Sequence, residues 1–301
     1  MKNFLKQLFV LGLCYAVTCS VSADQLRPGL SLFSFDGEQH IDHIQGDPLL
    51  LYVSVANMAG LSIARENEQN HAMLDALAAG NEDTEALDQL RDAYPVDRAW
   101  QITLGSEQSP ISSLLNLQVR NAKGESVELV PSVFEPIEDQ IKHGELSIEH
   151  PLLYTYAISQ DQLMALPEGT YSLAVGIDTR KREGMWQGWA YSKPISLSLT
   201  ATHPDPEWQT SQRRMASLVT YFLGVNQYQQ AQAVATEWVA LAADSVDSYS
   251  ALGDVLVAQG EREQALEAYY TALANFNDKY EGQEAPEQPL RLIDKIDRLD
   301  E

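Results

Sequence analysis

The first residues whose types could do chemistry are His40-Ile41-Asp42-His43, with Asp36, Glu38 and Asp47 close by. Imidazoles and carboxylates are the ligand types of zinc and calcium sites, which need several donors converging at short range. In a strand, however, His40 and His43 fall on opposite faces, because side chains alternate. The acidic residues also lack the spacing of a calcium-binding loop between helices. The stretch therefore predicts a solvated acidic connection and no metal site. A second such stretch is Met185-Trp186-Gln187-Gly188-Trp189, preceded by Arg180-Lys181-Arg182. Indole rings on a loop can stack on sugars or anchor a protein, or one Trp can close the end of a core. All three readings of Trp186 and Trp189 stay open, and the basic triplet would suit an acidic partner. The chain has no nucleophile elbow, zinc-protease helix, phosphate loop or dinucleotide fingerprint. Its six histidines are scattered, and with 43 Asp and Glu no carboxylate pair stands out.

Composition narrows the classes further. The chain has 301 residues and a formal charge of −23. Residues 1–23 read as an export signal: Lys2 and Lys6 precede an apolar core, and Val21-Ser22-Ala23 offers a small-residue cleavage site. Cys14 follows Leu13 and Cys19 follows Thr18, which argues against lipid attachment. Cleavage would remove both cysteines and leave 18 basic against 43 acidic residues, a charge of −25. Disulfides, thiolate metal sites and cysteine catalysis are then excluded from the mature chain. A field of that sign disfavours nucleic acid and anionic lipid and favours solubility or basic partners. No later apolar run reaches the roughly 20 residues of a membrane span.

The elements that must position any site fall into two parts. Between residues 24 and 201 the apolar pattern is mostly period two or short runs, at 30–35, 48–55, 99–104, 114–119, 126–130, 152–158, 171–177 and 190–199. Asn121-Ala122-Lys123-Gly124 reads as a hairpin turn. Residues 64–94 interrupt this with a helical hairpin carrying Met73, Leu74 and Leu77, then Leu87, Leu90 and Tyr94. Ser159 and Gln162 have capping-box spacing ahead of Pro167-Glu168-Gly169-Thr170-Tyr171. That stretch resembles the corner of immunoglobulin-like and fibronectin-like domains, where a Tyr bonds back to the backbone. Residues 202–207, with Pro204 and Pro206, mark a linker, and helical periodicity runs from 208 to 301.

In residues 247–278, Tyr249, Leu252, Gly253, Leu256, Gly260, Ala265, Tyr269 and Ala272 are spaced as two short helices folded together. This resembles the tetratricopeptide repeat, with Asn277 where the family closes on Pro. A shift of about 34 residues finds a weaker copy in Leu218, Phe222, Tyr228 and Ala231, with Val219 in place of Gly and Trp238 in place of a small residue. Leu290, Ile293, Ile296 and Leu299 predict a closing amphipathic helix, with Arg291, Asp294, Lys295, Asp297 and Arg298 outward. The resemblance implies a concave face that would include Arg213, Ala216, Thr220, Asp247, Ser250 and Asp254. The carboxylate clamp of some relatives uses Lys and Asn, which those positions lack. A helical unit that simply packs on the sheets or dimerises is the alternative.

The expected protein is thus multidomain: an all-β antiparallel immunoglobulin-like sandwich with an inserted helical hairpin, then an all-α tetratricopeptide-like domain. The expected function is an exported, non-catalytic adaptor for protein partners in a Gram-negative envelope, periplasmic or secreted, without a cofactor or a metal. A carbohydrate-binding accessory protein using Trp186 and Trp189, and a hydrolase of unknown class, are the other readings.

Overall fold

The computed structural model describes residues 28–34, 37–57, 69, 102–105, 110–134, 145–146, 151–280 and 290–300. The export signal, the helical hairpin expected at 64–94 apart from residue 69, and Asp36 lie outside the described residues.

Alternating apolar residues build the first sheet, in the order β1 (Gly29–Ser34), β3 (Leu49–Ala56), β9 (Leu152–Ile158), β7 (Ser132–Phe134). Each neighbouring pair is antiparallel. The second sheet runs β2 (His40–Ile44), β12 (Ile195–Thr200), β10 (Gly169–Asp178), β5 (Leu115–Asn121), β6 (Ser126–Val127), and β11 (Trp189–Tyr191) also pairs with β10. Leu32, Val53 and Tyr154 from the first sheet share one core with Val119, Leu173 and Leu197 from the second. β4 (Ile102–Thr103) and β8 (Glu145–Leu146) form a separate two-stranded pair.

Three expectations are corrected. The sheets are not all antiparallel, because β2 runs parallel to β12, His40 beside Ser196 through Ile44 beside Thr200. Only five residues separate β1 from β2, and the chain uses them to step into the other sheet instead of turning back on β1. Residues 190–199 are not one strand: β11 ends at Tyr191 and β12 starts at Ile195, with Pro194 between them. Proline has no N–H to give a ladder, and the Ser192 hydroxyl instead accepts the Val175 N–H at 3.0 Å. The stretch read as a solvated acidic connection is strand β2, with Ile41 and His43 buried.

The local signals at the sheet turns hold. Asn121 Oδ1 accepts the N–H groups of Lys123 and Glu125, each at 3.0 Å, and closes the β5–β6 hairpin. Ser159 caps the short helix α1 (Gln160–Met164) by accepting the Gln162 N–H. The Gln162 amide reaches across to both backbone groups of Val130, at 2.8 and 3.0 Å. Tyr171 donates its hydroxyl to the Pro167 carbonyl at 2.7 Å, which fixes the entry into β10.

Among the described residues five further helices follow: α2 (Gln212–Gly224), α3 (Tyr228–Leu241), α4 (Val246–Gln259), α5 (Arg262–Lys279) and α6 (Leu290–Asp300). Ser211 and Ser245 cap α2 and α4 by accepting the N–H groups of Arg214 and Ser248. Gly260, at φ +79°, ends α4 in the left-handed conformation that favours glycine. The α2/α3 and α4/α5 pairs each fold back on themselves, and α2 also lies against α4. Leu50 and Ala157 of the first sheet form a small cluster with Tyr221, Phe134, Phe222 and Val225, joining sheets to helices. Among the described residues no helix is long and apolar enough to cross a membrane.

Candidate binding groove

The six concave-face residues come from two neighbouring helices, at spacings that return to one helical face. Arg213, Ala216 and Thr220 project from α2, and Asp247, Ser250 and Asp254 from α4. All six line a single open groove of about 590 Å³. Val219, Leu223, Ala251 and Trp238 add apolar surface, and Arg291 of α6 stands at the margin. Trp238 is buried, and among the described residues its indole N–H meets no acceptor.

Two helical hairpins can share one architecture with different side chains because volume is exchanged within each. In α4/α5, Gly253 faces Tyr269 so closely that an added Cβ would overlap the ring. About 34 residues earlier, Val219 stands in the place of the glycine and Ala235 in that of the tyrosine, both buried in one cluster. Ala272 likewise corresponds to Trp238. The first hairpin therefore carries its bulk on Val219 and Trp238, both on the groove wall, whereas the second hides it in Tyr269.

Two of the four charged residues that line the groove, Arg213 and Asp254, are held in ion pairs. Lys295 Nζ lies 2.7 Å from Asp254 Oδ1 and 3.3 Å from the Ser250 hydroxyl, and 5.6 Å from the centre of the Tyr269 ring. Tyr269 donates its hydroxyl to Asp254 at 2.7 Å. Burial, then that bond and the Asp254 charge, push the Tyr269 phenol far above its ordinary value, so it stays a donor. Lys295, which the sequence pattern places toward solvent, instead turns in to Asp254 and Ser250. The buried stripe of α6 is Leu292 and Ile296, one turn apart, with Leu299 partly covered. This rotates Lys295 inward from the position implied by a stripe through Ile293. Arg213 sits 3.6 Å from Glu38 and 5.8 Å above the Trp208 ring, so the groove lip leans on the sheets.

Beside that lip lies a polar joint that the sequence reading missed. Asp47, only 4% exposed, accepts Arg214 Nε at 2.7 Å and Nη2 at 2.9 Å, together with Trp208 Nε1 at 3.2 Å. His43 donates Nε2–H to the Asp47 carbonyl at 3.0 Å. Burial lowers the His43 pKa below its ordinary value, against the Asp47 bond and charge, which raise it. His203 stacks on Trp208 with ring centres 4.2 Å apart and planes 10° apart. As read from alternation, His40 is on the other face, exposed and 3.3 Å from Asp42. Among the described residues no three His, Cys, Asp or Glu side chains group as metal ligands. A signal for the joint existed in the burial-compatible spacing of Ile41 and His43, but nothing local in sequence pairs Asp47 with Arg214.

The two loop tryptophans divide. Trp186 packs against the main core and its ring covers Gly188, while Trp189 is 52% exposed. Thr179, fully buried, donates its hydroxyl to the Trp186 carbonyl and holds this loop. Trp189 stands 5.5 Å from exposed Tyr191 at a 48° tilt. In the basic triplet Arg180 is engaged by Asp178 at 2.6 Å, which draws the Asp178 carboxyl down to about 2. Comparison of the chain with protein-family models, with curated proteins and with solved structures gave no match.

Proposed function

We propose that this protein is a non-catalytic, exported adaptor that holds a segment of another protein in the groove between α2 and α4. The observation that carries the reading is the convergence of Arg213, Ala216, Thr220, Asp247, Ser250 and Asp254 on one open surface of about 590 Å³. Apolar surface from Ala216, Val219, Leu223, Trp238 and Ala251 beside a comparable polar surface can receive both the side chains and the backbone of a peptide segment. The engagement of Asp254 by Lys295 and Tyr269 favours recognition over acid–base chemistry at that carboxylate.

The finer fold reading belongs with this proposal. The order β1-β3-β9-β7 opposite β12-β10-β5 follows the ABED and GFC arrangement of immunoglobulin-like domains, and the Tyr171 bond supports the same reading. Two helical hairpins in register and a closing helix support the tetratricopeptide reading. The carbohydrate reading is weaker, because Trp186 is held by the core and the Trp189–Tyr191 pair is tilted, not a flat platform.

A photo-crosslinking residue at Thr220 tests the adaptor reading in envelope extract, with exposed Thr236 of α3 as the control position. The expected result is a discrete adduct from Thr220 alone that disappears when Ala216→Trp fills the groove. Equal labelling at both positions, or none at either, would overturn it.

A further inference from the structure

We propose that the joint between sheets and helices is a proton-operated clasp, closed at neutral pH and opened in mild acid, whose release frees α2 and reshapes the groove. The effect on the groove rests on the adaptor reading; the opening of the clasp does not.

The closed joint is set by the hydrogen bonds of two imidazoles. His203 Nδ1 accepts the Asp205 N–H at 3.0 Å, so its proton sits on Nε2, which faces the Asp42 carbonyl at 3.2 Å. Protonation would set two N–H donors against each other at Nδ1 and break the linker turn. Arg213 also lies over the Trp208 ring, so a charged imidazole stacked there would be a second cation on it. His43 is buried on the other side of the joint, with its Nε2–H on the Asp47 carbonyl. Beside it a cavity of about 30 Å³, lined by Ser34, Asp42, Trp208, Arg213 and Ser217, is large enough for one water.

Electrostatic balance then decides the outcome. The groups facing His43 are Asp47, His203 and Arg213. Arg214 adds its charge through Asp47, while Asp42, Glu38 and Asp205 stand at the exposed margin. With both histidines protonated, four cations surround one buried carboxylate whose oxygens are already committed to Arg214 and Trp208. Low-dielectric surroundings magnify that repulsion. Further attachments are the apolar cluster of Leu50, Phe134, Ala157, Tyr221, Phe222 and Val225 and the long Arg213–Glu38 pair at the exposed margin. Because α2 carries Arg214 and Tyr221 toward the sheets and Ala216 and Thr220 toward the groove, its release moves one groove wall.

The test is a distance measurement on the full chain, with Cys14 and Cys19 changed to Ser and spin labels on cysteines at exposed Lys123 and Glu263. At about pH 8 one narrow distance is expected; below about pH 6.5 a second, broader population should grow in, as for a histidine-controlled event. His43→Gln/His203→Gln should stay closed through the same range, and Asp47→Asn should be open throughout. Should the double variant fail to fold, His203→Gln alone must lower the midpoint. A single unchanged distance in the parent overturns the proposal. So does an unshifted midpoint in the histidine variants, or loss of helical circular dichroism together with the distance change. No partner is needed, so failure here leaves the groove reading standing, and failed crosslinking at Thr220 leaves the clasp standing.

Discussion

Asp47 shows how much one side chain can hold. Its carboxylate receives three donors, two from Arg214 of α2 and one from Trp208, while almost wholly out of water. Asp47→Asn keeps the shape but leaves the Arg214 guanidinium, itself only 18% exposed, without its counter-charge. The expected loss is about 2–3 kcal/mol in urea unfolding, below the value for a fully buried pair because Arg214 keeps a wet side. Replacing both partners with Asn and Met should recover most of that loss, since the unpaired ion is what costs stability. The loop tryptophans give the opposite kind of contrast. Trp186→Ala removes a ring packed on the core and should cost about 2–3 kcal/mol, less than a fully buried Trp. Trp189→Ala removes an exposed ring and should leave the unfolding midpoint within error, a difference that thermal melts of the two variants can read directly.

At the scale of elements, the two helical hairpins are the same solution with bulk placed differently. Gly253→Val drives a side chain into the Tyr269 ring and should cost about 1–3 kcal/mol. Adding Tyr269→Ala recreates the Val219/Ala235 arrangement of the first hairpin, so the double variant should be more stable than the sum of the two single losses. A double-mutant cycle in urea measures that coupling. Helix patterns made this region legible in the sequence: 3.6-residue spacing located the helices, while the six groove positions were implied by the resemblance to the tetratricopeptide repeat. Helix α6 was legible in existence but not in rotation, because Leu290, Ile293 and Ile296 mimic a stripe while Leu292 and Ile296 are the residues buried. Strand β2 was hidden for a different reason. Its inward residues are Ile41 and a histidine, and a polar inward position defeats an alternation test. The Asp47–Arg214 pair, 167 residues apart in sequence, carries no local signature at all.

For the whole molecule, pH acts through a named group. The folded-state pKa of His43 lies below its ordinary value because burial penalises the cation. The unfolded chain therefore binds the proton more readily, and stability is whole above about pH 6.5 and falls as pH drops from there toward the folded value. Unfolding free energies at about pH 7.5 and 5.5 should differ in that direction, and His43→Gln should flatten the slope. The parallel pairing of β2 with β12 has a further consequence, in the order of assembly. Among the described residues β2 has no other hydrogen-bonded neighbour, and its partner begins more than 150 residues later, at Ile195. A chain made from its N-terminus must carry that strand edge, and the charged Asp47 beside it, unsatisfied until β12 and then Arg214 arrive. Closure of the second sheet and docking of the helices are consequently one late event. A chain arrested before Ile195 should be an aggregating species that depends on a holding chaperone, whereas one extended past Arg214 should escape it.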